Sequence, residues 1–157
     1  MVRAYWKPIF VVFLFCLTIV ITVLTHESKL EVENKSAINA DEIWVYNCET
    51  PRQQPESLML TCGSGGMRLE DLMWATWGPD GAVGYGTYLE NNCTPDCAQG
   101  EFSSTSVYLT LRDLTQHKEQ NFYRTIEITP AEDEDLPRGQ SSIQWDLMDF
   151  ALMMQEE

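Results

Sequence analysis

Beyond residue 40, apolar side chains recur at every second position in short runs, and each run ends in a cluster of turn-forming residues. The runs are Ile43 and Val45; Leu58, Leu60 and Cys62; Leu72 and Trp74; Val83 and Tyr85; Val107, Leu109 and Leu111; Ile126 and Ile128; and Ile143, Trp145 and Leu147. Successive side chains of a strand point to opposite faces, so this period predicts seven short strands with one buried face. The breaks between them, at 51–55, 63–66, 78–81, 91–100, 114–121 and 130–139, are rich in Pro, Gly, Asn and Asp, whose chemistry favours turns. Helical spacing is almost absent. The expected fold is all-β, a small antiparallel β-sandwich or partly open barrel over residues 43–148. Residues 149–157 form a C-terminal tail or a short helix closing one end.

Four cysteines fall inside this region: Cys48, Cys62, Cys93 and Cys97. Outside the cytoplasm an even count reads as two disulfides, for which four thiols allow three connectivities. The spacing favours local pairs. Cys93 and Cys97 flank Thr94, Pro95 and Asp96, and Cys48 and Cys62 end neighbouring apolar runs that would pair as a hairpin. A four-cysteine zinc site is disfavoured, because such sites use paired short spacings and neither His26 nor His117 lies near the cysteines in the chain.

The exported setting rests on the other end of the chain. Residues 9–24, IFVVFLFCLTIVITVL, carry no charge and, with Tyr5, Trp6 and Thr25 at their ends, approach the ~20 residues needed to cross a bilayer. Residues 9–25 are therefore expected to be a transmembrane signal-anchor helix. Arg3 and Lys7 precede it, so residues 1–8 are expected in the cytoplasm and the rest outside. A cleaved signal peptide is the alternative, disfavoured because no small-residue cleavage pattern follows Leu24 closely. The bulky Phe13, Leu14 and Phe15 before Cys16 do not suit a lipoprotein signal. Residues 26–42 are polar and mixed in charge, as in a linker that holds a domain near the membrane.

Charge narrows the partners. Residues 1–40 hold four cationic side chains against three anionic ones, so the chain's net charge of -14 leaves -15 on the remainder. Such a domain repels phosphate backbones, which disfavours nucleic acid as a partner.

No residue pattern marks a catalytic, cofactor or metal site. His117, in the polar stretch after Leu114, has no nucleophile elbow to serve and reads as a solvated loop histidine. Glu132, Asp133, Glu134 and Asp135 offer oxygen ligands but lack the alternation and turn glycine of a calcium loop, so a solvated loop is expected. Gly81, Gly84 and Gly86 sit at strand period with no Lys-Ser/Thr pair after them, which fits close backbone packing better than a phosphate cradle. Asn34 and Asn92 stand in N-x-[ST] triplets, which would be glycan acceptors only in a eukaryotic secretory pathway.

The segments LTCGSGG, LMWATWG, AVGYGT and NNCTPDCAQGEF, followed by VYLTL, resemble a family of small exported proteins widespread in actinobacteria. The resemblance covers residues 48–129. Cys62, Gly63 and Gly65 match its first motif, Trp74, Trp77 and Gly78 its second, and Ala82, Gly84 and Gly86 its third. Asn91, Cys93, Pro95, Cys97, Ala98 and Gly100 match its most specific element, an N-x-C-x-P-x-C-A-x-G loop. Ser64 and Gly66 depart from the Asp and Asn usual in the first motif, so no ligand role is expected of that turn. The resemblance implies an exported cystine domain in an actinobacterial envelope, and no activity.

The expected function is a non-catalytic binding or assembly module of the envelope, facing an envelope protein or a polysaccharide. A hydrolase using two carboxylates is the alternative. Strand alternation places Trp74 and Tyr85 in the expected core. It leaves Trp77, Tyr88 and the loop carrying Asn91 and Pro95 as the candidate binding surface.

Overall fold

A computed structural model describes residues 16, 17, 19–21 and 38–154. Residues 16, 17 and 19–21 are helical. Most of the expected span at 9–25, and the linker through residue 37, lie outside the described residues. Among those described, no helix is long and apolar enough to cross a membrane.

From residue 38 onward the chain is mostly β, built on one sheet curled into a half-barrel. A 3-10 turn (Ala40–Glu42) leads into β1 (Ile43–Asn47), followed by β2 (Thr50–Arg52), β3 (Leu58–Met59), β4 (Met67–Gly78), β5 (Gly81–Asn91), β6 (Phe102–His117), β7 (Gln120–Pro130) and β8 (Ile143–Asp146). A short helix, α1 (Asp149–Met153), comes last. The strand order is β2-β1-β7-β6-β5-β4-β3, with β8 also on β7. The free edge of β7 is shared: Asn121 and Phe122 pair parallel with β1, and residues 125–128 pair antiparallel with β8.

The curl brings strands from near opposite ends of that order together, and side chains close the seam. Asn47 stands in for a strand partner, accepting the amide of Met59 at 2.9 Å and donating to the carbonyl of Ser57 at 3.3 Å. The Trp77 indole N–H donates to the Ile43 carbonyl at 3.3 Å. The Tyr123 phenol accepts the Gly78 amide at 3.1 Å and donates back to the Gly78 carbonyl. The Cys48–Cys62 disulfide spans the same seam. Its pairing is the one expected, but the hairpin is not: β1 turns back on β2, and β3 pairs with β4. The second disulfide joins Cys93 to Cys97.

The core lines the inner face. Ile43, Leu58, Leu69, Leu109, Leu111, Ile126 and Ile128 are fully buried there, with Leu136 and Leu147 of the following segments packed on them. On β5 the inner face carries Ala82, Gly84, Gly86, Tyr88 and Glu90, so two placements are reversed. Tyr88 is 0% exposed and belongs to the core, whereas Tyr85 is 47% exposed on the outer face. The small residues lie inside because their neighbours on β4 are large and lean over them. The Trp74 ring lies against Gly84, and Leu72 against Gly86.

Strand β4 also corrects the treatment of its tryptophans. Its register shifts between Glu70 and Met73, and again between Trp74 and Thr76. An extra residue in a strand turns the following side chains to the other face. Trp74 and Trp77 therefore pack on the same core, half-buried and edge to face at 5.0 Å, and Trp77 is not an open surface residue. A further departure is the β6–β7 hairpin, whose strands run through the expected turn at 114–121. Only Lys118 and Glu119 form its tip, both in the left-handed region at φ 48° and 65°. A turn of that shape is usually signalled by Asn or Gly, and neither is present.

Candidate functional site

The loop from Asn91 to Glu101 is organised by its own polar side chains. Asn91 Oδ1 accepts the amide of Cys93 at 2.7 Å, and its Nδ2 donates to the Cys97 carbonyl at 3.1 Å. Asn92 Oδ1 accepts the amides of Thr94 and Glu101, and Asp96 Oδ1 those of Ala98 and Gln99. Asn91 is thus a buried scaffold residue, not a contact surface. Gly100 leaves the space its side chain occupies, since a Cβ there would meet Asn91 Oδ1. Of the four candidate surface residues Trp77, Tyr88, Asn91 and Pro95, Pro95 alone is exposed.

Behind this loop sits a charged group in the interior. Glu90 is 3% exposed; one of its oxygens accepts the Tyr88 hydroxyl at 3.0 Å, and the other faces Arg138 in an ion pair without an aligned hydrogen bond. Arg138 belongs to the segment between β7 and β8, which also inserts Leu136 into the core and turns through a bond from the Gly139 amide to the Leu136 carbonyl at 2.7 Å. The cluster pins this segment to β5.

Burial pushes the Tyr88 phenol well above its ordinary value, with the hydrogen bond to Glu90 adding to the shift. Burial also raises Tyr123, although its bond to the Gly78 carbonyl acts the other way. Both folded-state values exceed the unfolded value of ~10, so the stability of the neutral phenols is complete below about pH 10 and declines as pH rises beyond it. Tyrosinate absorbance from Tyr88 and Tyr123 should therefore appear only together with loss of β circular dichroism. Ionisation of these two phenols with the fold intact would contradict their placement.

His117 is not a solvated loop residue. It ends β6 half-buried, edge-on to Tyr46 and Phe122 at 6.3 Å each, beside the small second core that Tyr46, Phe122, Met148 and Ala151 form. Among the described residues, no three His, Cys, Asp or Glu side chains converge as a metal site would need. Glu132, Asp133, Glu134 and Asp135, with Thr129 and Ser141, line an open depression of about 410 Å³.

The outer face holds what sequence reasoning missed. Met73 pairs with Tyr85, Tyr85 with Tyr108 and Tyr108 with Thr129, so one row of outward side chains crosses β4, β5, β6 and β7. Directly opposed residues on neighbouring strands share a face. Met73, Tyr85 and Tyr108 are 52%, 47% and 55% exposed, and the Tyr85 hydroxyl rests on the Met73 sulfur at 3.3 Å. A groove of about 440 Å³ runs along the row, flanked by Asp71, Thr87, Ser106 and Ala131. Asp71, in the first bulge of β4, holds a left-handed backbone at φ 54°. The signal available in the sequence was Tyr85 at an odd position of β5 together with Phe102 and Tyr108 at even positions of β6. The bulges and small residues that invert the faces hid its meaning.

Comparison of the chain with protein-family models, with curated proteins and with solved structures finds no match.

Proposed function

We propose that this chain is a membrane-anchored, non-catalytic binding or assembly module of an actinobacterial cell envelope, with its β domain outside the cytoplasm and its N-terminus inside. The uncharged run at 9–24 after Arg3 and Lys7 supports the anchor and its orientation. The two disulfides support an oxidising compartment. The observation that carries the binding role is the exposed Met73–Tyr85–Tyr108 row on a hydrogen-bonded sheet. Large aromatic and sulfur-bearing side chains left in water on a rigid surface are what partner recognition commonly uses, and they add nothing to the core.

The test is mild crosslinking of the full chain in its native membrane, comparing the wild type with a Tyr85→Ala, Tyr108→Ala double variant while following thermal unfolding. The variant should lose its crosslinked partner and melt within about 5 °C of the wild type, because exposed side chains rarely change stability by more than ~0.5 kcal/mol each. A melting point lowered by 10 °C or more, or an undiminished partner, would refute the assignment.

A further inference from the structure

We infer that the tyrosine row seats a short, extended, lysine- or arginine-bearing segment of a partner protein. The inference rests on the binding reading above and adds the partner's chemistry. Four strands about 4.8 Å apart give a row ~15 Å long, the reach of four to five extended residues. Acidic groups stand at both ends. The Asp71 carboxylate flanks the groove beside Met73, and Thr129, at the other end, also lines the depression holding Glu132 to Asp135. Ala131 lines the groove and stands in the chain between Pro130 and Glu132 of that depression, its amide donating to the Ser106 carbonyl at 2.8 Å.

The cations nearby are already committed. Arg68 pairs with Glu70 at 2.6 Å and lies over the Phe102 ring at 4.1 Å, and Arg112 pairs with Glu127 at 2.8 Å. Among the described residues, neither Asp71 nor any of the four acids at 132–135 forms an ion pair. Two aromatic faces between unpaired carboxylates present negative potential along the whole groove, which attracts cationic side chains and rejects anionic ones. An uncharged glycan would meet the rings but would leave those carboxylates without counter-charge.

The test titrates the full chain in non-ionic detergent with a penta-arginine peptide, a penta-glutamate peptide and an N-acetylglucosamine hexamer. Penta-arginine should bind and the other two should not. Tyr85→Ala with Tyr108→Ala should weaken it about tenfold, and Asp71→Asn about threefold. Tyr85→Phe with Tyr108→Phe should retain binding, so the ring requirement remains testable if the Ala variant folds poorly. Glu119→Gln, at the distant hairpin tip, should change affinity less than twofold. Equal weakening by Glu119→Gln and Asp71→Asn, or Ala variants that bind as tightly as the wild type, would overturn the inference as diffuse charge attraction. Tyrosine-dependent binding of the glycan without the peptide would overturn the partner class and leave the binding module standing. A wild type that binds neither peptide nor glycan and yields no crosslinked partner would end the wider reading as well.

Discussion

Replacing Cys48 and Cys62 together by Ala should lower the melting temperature by about 10 °C or more, the larger of the two disulfide effects. Chain-entropy arguments give ~3 kcal/mol for a loop of about 15 residues and ~2 kcal/mol for one of five, so the Cys93–Cys97 pair starts from a smaller contribution. Position widens the gap. Cys48–Cys62 crosses the seam of the curled sheet, where β1 and β3 meet through Asn47 and no ladder holds them. Cys93–Cys97 lies in a loop already fixed by Asn91, Asn92 and Asp96. Loss of the seam disulfide should also free the β1–β2 hairpin to exchange its amides, readable by hydrogen exchange on β1. Equal melting points for the two double variants would contradict the seam account.

Arg138→Ala should destabilise the domain by about 1–2 kcal/mol, and Glu90→Gln by less. Removing the guanidinium leaves the Glu90 carboxylate buried with only the Tyr88 hydroxyl facing it, whereas the amide removes the charge and keeps an acceptor for that hydroxyl. The Arg138 side chain is 61% exposed, so water screens part of the pair and the effect falls below that of a fully buried bridge. The double variant should cost less than the sum of the two, and chemical denaturation of all four proteins measures that coupling. A silent Arg138→Ala would show that the ion pair does not hold the segment between β7 and β8, leaving Leu136 and the Ala131 backbone bond to Ser106.

The β class and the Cys93–Cys97 pairing were legible because they depend on local signals, namely period-two runs, turn residues and cysteine spacing, whereas Cys48–Cys62 is expected from a hairpin that does not form and instead crosses the seam. Face assignment was not legible on β5. Val83 and Tyr85 are larger than Ala82, Gly84 and Gly86, and in a lone strand the larger set would be buried. Here the volume comes from the neighbouring strand, where Trp74 and Leu72 fill the space over the glycines. Two bulges in β4 make that possible, and no glycine or proline lies within residues 67–77 to announce them. The same bulges bring Trp74 and Trp77 to one face, which an unbroken strand would divide. The expected binding surface then moved to the opposite face, from Tyr88 to Tyr85, while Asn91 proved to be the internal brace of its loop. The polar neighbours of His117 suggest a solvated residue, but the parallel pairing of β1 with β7 places Tyr46 beside it, a long-range contact with no local trace.

The central claim is that the outer face of β4, β5 and β6 meets a partner, and site-specific photocrosslinking in the native membrane tests it most directly. A photoreactive residue placed singly at Tyr85, Tyr108 or Thr129 of the full chain should give one shared crosslinked species that penta-arginine competes away, and the same residue at Glu119 should give none. Crosslinks from Glu119 alone, or none from the three positions of the row, would contradict the claim.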